Sequence, residues 1–159
     1  VDGSNQTNLT QNPGFDWQPQ FSPDGFSILF ESTRDDNYEI YTMDVDGSNQ
    51  TNLTQNPGFD WQPQFSPAGD KIMFESTRNG NYELYIMDTN GYNLVNLTNS
   101  PGKDFHGNFS PDGSSITFTS FRDENFEIYM VDIDDTKLVN VSNRSDNTDY
   151  SSSFQPWPN

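Results

Sequence analysis

The sequence predicts an all-β fold assembled from repeated four-stranded units, on three observations. Residues 1–23 and 45–67 are the same string, VDGSNQTNLTQNPGFDWQPQFSP, displaced by 44 positions. Inside each period, short runs of aromatic and β-branched residues alternate with Pro, Gly, Asn and Asp clusters, and no stretch has a helical period. The composition is lopsided in the same sense: 30% of residues are hydrophobic and 14% are aromatic, so nearly half the apolar complement is Phe, Tyr or Trp. A net charge of −17 on so polar a chain would suit disorder, but disordered tracts are poor in such core-building rings.

The elements follow in order. Residues 5–10 read as an outer strand ahead of the first unit. Residues 17–21 form that unit's first strand, closed by Ser22-Pro23-Asp24-Gly25, whose Pro and Gly suit a tight turn. The run 27–32 is the second strand, with Ile28, Phe30 and Ser32 on one face and Leu29 and Glu31 on the other. A polar turn at 34–37 leads to a third strand at 38–44, and Asp46-Gly47 marks the next hairpin. A fourth short strand at 50–54 and a loop holding Pro57 complete the period. Phe21-Ser22-Pro23 recurs at Phe65-Ser66-Pro67 and Phe109-Ser110-Pro111, and Glu39, Glu83 and Glu127 share a phase, as do Asp44, Asp88 and Asp132. Whole units are thereby expected at 16–54, 60–98 and 104–142. One extra residue then intervenes, and a partial copy at 150–157 supplies an inner strand near Ser151 and Phe154.

Four antiparallel strands in about 40–45 residues is the size of a β-propeller blade. A β-solenoid coil is shorter, and a sandwich does not repeat its own sequence. Both faces of a blade are covered by neighbours, which suits a heavy load of large flat side chains. Propellers need at least about four blades to close, and three with open ends would expose strand edges and aromatic faces. Ring completion is therefore expected, by further blades of a parent chain or by homo-oligomerisation. Val1 is not an initiator Met and the opening residues do not form a signal peptide. The sequence is accordingly read as a processed product or a segment, with a piece of a larger propeller favoured.

The series D-W-x-P-x-F-S-P-D-G, I-x-F-x-S-x-R, E-I-Y-x-M-D-x-D-G and N-L-T resembles the TolB-type repeat, also called PD40 or WD40-like, over essentially the whole chain. The resemblance implies blades arranged in rings of about six to eight. Ala68 in place of the turn Asp, Asp135 in place of Gly, and Gln155 in place of Ser depart from the pattern.

Composition excludes several chemistries. Against 24 Asp and Glu stand 7 Lys and Arg, which repels nucleic acid and anionic membranes. The absence of Cys removes disulfides, thiolate zinc and thiol catalysis, and no run of apolar residues is long enough to span a bilayer as a helix. Residues repeated in phase are most simply scaffold, whereas an active site is a single constellation. By that test Asp16 with Arg34, Asp60 with Arg78 and Asp104 with Arg122 form a structural network, each pair capping a blade with charge-assisted hydrogen bonds. Glu31, Glu75, Glu39, Glu83 and Glu127 are phased too, and the unphased Glu124 sits in an expected turn. No sialidase-type Asp-box and no G-x-S-x-G occurs. The expectation is no catalytic residue, no enzyme and no resident cofactor or metal. His106, the one histidine, cannot make a zinc site without carboxylates. Asp44-Val45-Asp46-Gly47-Ser48-Asn49 begins like a calcium loop but lacks its later ligands, leaving a hairpin turn with weak calcium binding possible. The sequons at Asn5, Asn8, Asn49, Asn52, Asn96, Asn108, Asn140 and Asn143 matter only in a glycosylating compartment.

Positions that break the period are the candidates for partner binding. These are Tyr92 for Ser48, Lys103 for Phe59, His106 for Gln62 and Phe121 for Thr77. The functional expectation is a non-catalytic protein-binding or scaffold module, extracellular, periplasmic or at the cell surface. The alternatives are the propeller of a larger prolyl-oligopeptidase-like serine peptidase, or a repetitive adhesin with weak calcium binding.

Overall fold

Period-two alternation in the short runs yields strands, and the Ser-Pro and Asp-Gly clusters yield the turns between them. The computed structural model describes residues 2–134, 136–143 and 149, among which there are strands and turns and no helix. The first sheet orders β1 (Asp16–Phe21), β2 (Ser27–Ser32), β3 (Glu39–Asp44) and β4 (Thr51–Asn52) as an antiparallel meander. The second repeats it with β5 (Asp60–Phe65), β6 (Lys71–Ser76), β7 (Glu83–Asp88) and β8 (Val95–Asn96). The third comprises β9 (Asp104–Phe109), β10 (Ser115–Ser120), β11 (Glu127–Asp132) and β12 (Leu138–Asn140). Register is conserved between copies: Ile28 faces Met43, Ile72 faces Met87 and Ile116 faces Val131. This is the blade architecture that the period predicts.

The two faces of the central strands bury different partners. Ile28, Phe30, Tyr41 and Met43 pack with Leu9, while Leu29 and Ile40 pack against Ile72, Phe74, Tyr85 and Met87 of the next sheet. One period later, Met73, Leu84 and Ile86 meet Ile116, Phe118, Tyr129 and Val131. The rings are divided between two places, which revises the expectation that they cover blade faces. Phe30, Phe74 and Phe118 are fully buried in the stack, but Phe15, Phe26, Phe59 and Tyr92 lie exposed beyond the sheets.

Turns are built from local carboxylates. Ser22 Oγ donates to Asp24 at 2.6 Å, and the Gly25 amide donates to the Ser22 carbonyl. In the second copy Ala68 cannot accept, and Asp70 does so instead, 2.8 Å from Ser66 Oγ. The β3–β4 and β7–β8 turns need Gly47 and Gly91 for a second reason besides their φ of 87° and 84°. A Cβ on either would sit 2.9 Å from the Leu9 carbonyl oxygen or 3.2 Å from that of Leu53, in the segment packed alongside.

Every first strand carries a bulge. Gln18, Gln62 and His106 have φ of 52°, 48° and 56°, and the register with the second strand shifts at those points. The bulge turns one backbone N–H toward the preceding sheet. Glu31 Oε1 accepts from the Gln62 amide at 2.6 Å, and Glu75 Oε1 from the His106 amide at 2.6 Å. Gln20 Oε1 accepts from the Phe65 amide and Gln64 Oε1 from the Phe109 amide, at 2.9 and 3.2 Å. Each junction is thus bolted by two side chains of one sheet gripping the inner strand of the next.

Residues 5–10 form no ladder, contrary to the outer strand expected there. Their pairing partner would be the third strand of a preceding blade, which the sequence does not contain. The segment nevertheless occupies the outer-strand position: Leu9 packs on the first sheet, and its carbonyl accepts from Gln50 Nε2 at 3.1 Å. The partial copy at 150–157, with its inner strand, lies outside the described residues.

Candidate functional site

Antiparallel order sends the β2–β3 turn and the loop entering the next first strand to the same end of each sheet. At this end Asp16 and Arg34 meet at 3.2 Å, Asp60 and Arg78 at 3.1 Å, and Asp104 and Arg122 at 3.0 Å. Each guanidinium also donates from Nε to a serine of its own blade, Ser32, Ser76 or Ser120. It lies over the rings beneath it, Arg78 being 5.1 Å from the Phe74 centroid and 4.7 Å from that of Tyr85. Asp60 and Asp104 are fully buried, whereas Asp16 and Arg34 keep some solvent contact. Asn12 and Asn56 donate to the aspartates of the first two copies. Ser100 takes that place in the third, and Asp104 Oδ1 is buried with no hydrogen bond among the described residues.

Outside this buried layer runs an exposed row of rings. Phe15 stacks on Trp17 at 5.2 Å and Trp17 on Tyr38 at 5.5 Å. Tyr38 meets Phe59 edge-on at 5.9 Å, Phe59 meets Trp61 at 6.3 Å, and Trp61 meets Tyr82 at 5.3 Å. Lys103 then stands in the phase of Phe59, its Nζ 5.5 Å from the Tyr82 centroid. Phe105, Phe126 and Phe121 continue the row over the third blade. Phe15, Trp17, Phe59, Tyr82 and Phe121 are exposed, Phe15 at 68%, while Tyr38, Trp61, Phe105 and Phe126 between them are half-buried.

Two equivalent cavities open along the row, one at each junction. The first, of 280 Å³, is lined by Gln18, Glu31, Tyr38, Phe59, Trp61 and Gln62. The second, of 340 Å³, has Gln62, Glu75, Tyr82, Lys103, Phe105 and His106 in the corresponding places and adds Phe126 and Trp61, which borders both cavities. Both carboxylates on the floor are almost completely buried. Burial pushes Glu75 up to about 7, although the His106 amide and the Trp61 indole both pull it down. Burial likewise raises Glu31 above its ordinary value, against the Gln62 amide. Their second oxygens differ. Glu75 Oε2 accepts from Trp61 Nε1 at 2.8 Å, but among the described residues Glu31 Oε2 has no donor, because the Trp17 indole lies flat between Phe15 and Tyr38.

The candidate residues separate into two groups. Lys103, His106 and Phe121 gather at this end of the second junction, where Phe121 packs on Phe126 at 4.8 Å. Tyr92 is 71% exposed in the β7–β8 turn, at the opposite end of the sheets. His106 also borders a polar groove of 420 Å³ formed where β1, β5 and β9 converge, and its Nδ1 is buried without a partner among the described residues. The Asp44–Asn49 segment closes on itself: Asp44 Oδ2 accepts from Ser48 Oγ and Asn49 Nδ2, and Asp46 Oδ1 from Ser48 Oγ. Among the described residues no three His, Asp or Glu side chains are grouped to hold a metal ion. Likewise no helix among them is long and apolar enough to cross a membrane. Sequence reasoning missed Glu31 and Glu75 as wall residues. Their signal is a carboxylate alternating onto the face that Leu29 and Met73 make apolar.

A family model described as the TolB beta propeller domain matches residues 51–156. The Tol-Pal system protein TolB of Bordetella pertussis is 49% identical over 39 residues, 24% of this chain and 9% of that protein. A TolB-type structure from Agrobacterium tumefaciens is 28% identical with a TM-score of 0.71, and the likeness covers 83% of this chain and 50% of that one. A puromycin hydrolase structure shares the fold at 20% identity and a TM-score of 0.66, over 79% of this chain and 22% of the hydrolase. The chain therefore spans half or less of these relatives.

Proposed function

Because the chain belongs to the TolB beta propeller family, we propose that it is part of a non-catalytic propeller outside the cytoplasm that docks a protein through the end of its blades carrying the aromatic row. The observation that carries this reading is the row itself. Rings from all three blades stay in contact with water at one end of the sheets, over a layer of ion pairs that holds them there. Exposed apolar surface that spans several repeats is the mark of an interface. The surrounding net charge of −17 favours a partner with basic groups at the rim. The Bordetella relative is named as a component of the Tol-Pal system, which supports a protein partner and a periplasmic setting. The chain's share of the Agrobacterium structure supports a ring of about twice this many blades, completed by more of the parent chain or by a second copy.

A photo-crosslinking residue at Phe59 and another at Tyr92 test the reading in the native host. Labelling of one protein from Phe59, competed by excess unlabelled chain but not by a Phe15→Ser/Phe59→Ser/Tyr82→Ser variant, is the expected result. Equal labelling from both positions would count against it.

The fold likeness to puromycin hydrolase favours a second reading, the propeller of a larger serine peptidase. That reading demands a G-x-S-x-G segment with downstream Asp and His in the same polypeptide, and these 159 residues contain none. Sequencing the parent gene decides between the two.

A further inference from the structure

We propose that the cavity between the first and second blades is a binding site for an organic ammonium group, held against the faces of Tyr38, Phe59 and Trp61 with the Glu31 carboxylate beneath it. The wall comes first. Tyr38 and Phe59 meet edge-on and Phe59 tilts toward Trp61 at 44°, so the three rings make a concave lining and not a flat stack. Ring faces carry negative potential and attract cations that shed water easily, alkylated ammonium above all.

The floor supplies the counter-charge. Glu31 is 5% exposed, lines the cavity, and uses only Oε1 to bolt the next blade. Its Oε2 has no donor among the described residues and is not sealed from solvent, so that oxygen is open to whatever enters the recess. A cation in this recess pairs with that carboxylate oxygen.

The chain provides its own comparison one period later. There Lys103 replaces Phe59, and the protein's own ammonium lies over Tyr82. The carboxylate of that copy, Glu75, has both oxygens taken, by the His106 amide and the Trp61 indole. In the second junction the ring and the acid are therefore engaged from within, by a cation over the ring and a donor on the acid, around a cavity that stays open. The first junction has the corresponding ring with no cation over it, and the corresponding acid with one oxygen lacking a donor among the described residues. A ring that the protein itself covers with an ammonium in one copy is left open to an external one in the other. This inference concerns the same face as the docking reading but does not depend on it, because small probes test the cavity with no protein partner present.

Choline, its uncharged isostere with tert-butyl in place of trimethylammonium, and n-butylammonium are titrated into the 159-residue chain. The readout is the indole N–H resonance of Trp61, assigned with Trp61→Phe. Both ammonium probes should shift it saturably, and the isostere should bind at least roughly tenfold more weakly. Glu31→Gln should weaken choline by a similar factor. Phe59→Lys, which copies the second junction, should abolish the shift, while Phe59→Leu, which removes one ring face and adds no charge, should weaken binding without abolishing it. Equal binding of choline and isostere, no saturable shift with either ammonium, or a response indifferent to both Glu31→Gln and Phe59→Lys would each overturn the assignment. Thermal unfolding of each variant identifies a misfolded one, and Glu31→Gln alone suffices if Phe59→Lys fails to fold.

Discussion

Replacing Arg78 with Met tests whether the repeated ion pairs are scaffold. Arg78 Nη2 lies 3.1 Å from both oxygens of Asp60, whose side chain is completely shielded from water. Met fills the aliphatic part of the arginine's space but leaves that carboxylate without its cation. Breaking a buried pair on one side costs about 3–5 kcal/mol. The lost contacts over Phe74 and Tyr85 add to this, and the new apolar packing offsets part of it. A loss of about 4 kcal/mol in a domain this size lowers the thermal midpoint by roughly 10 °C. The same change at Arg34 should cost only about 1–2 kcal/mol, because Asp16, unlike Asp60, reaches solvent and its charge is not left stranded. Urea unfolding of both variants, and of Asp60→Asn and Asp60→Asn/Arg78→Met to complete the cycle on that pair, gives the numbers. The double variant should be more stable than Arg78→Met alone, since the uncompensated charge is gone. Choline affinity at the first junction should be unchanged in all of them. A loss within about 0.5 kcal/mol for Arg78→Met, or a double variant worse than the single, would refute the argument.

Three further outcomes follow from particular contacts. Ser100→Asn should stabilise the chain by about 1 kcal/mol in chemical unfolding, because an asparagine there can donate to the orphaned Asp104 Oδ1 as Asn56 does to Asp60. Glu75, raised in the folded protein to about 7, holds its proton more tightly folded than unfolded. Its contribution to stability is complete below the ordinary carboxylate range and is lost as the pH climbs toward 7. Glu75→Gln should therefore flatten that part of the stability–pH curve, read by unfolding at a series of pH values, and a parallel pair of curves would contradict it. Gly91→Ala should lose about 1–2 kcal/mol in thermal unfolding, from its φ of 84° and the Leu53 carbonyl in the way of a Cβ.

The blades were legible because each is written several times. A strand of six residues is a weak signal, but Ser27–Ser32, Lys71–Ser76 and Ser115–Ser120 share one phase and one alternation. Phase also found the partners Asp60 and Arg78, eighteen residues apart and joined across one hairpin. Contacts between blades were harder to read. Glu31 meets Gln62 and Gln20 meets Phe65 only once two sheets are stacked, at separations of 31 and 45 residues that no local pattern announces. The exposed row escaped because a ring has the same letter in a core or on a rim: Phe30 and Phe15 differ only in lying within a strand or ahead of one. His106 stands out in the sequence as a break in the period at the position of Gln18 and Gln62, whereas the left-handed backbone it shares with them is what places it.

The bolts between sheets have an evolutionary corollary. Because Glu31 and Gln20 grip the second blade just as Glu75 and Gln64 grip the third, a whole period gained or lost by in-frame recombination at the first boundary leaves each seam with its own fasteners. The third blade carries Thr119 and Asn108 at those positions, so it does not repeat that pair of fasteners. The array can therefore lengthen or shorten between the first and second blades, and alleles should differ there by whole periods.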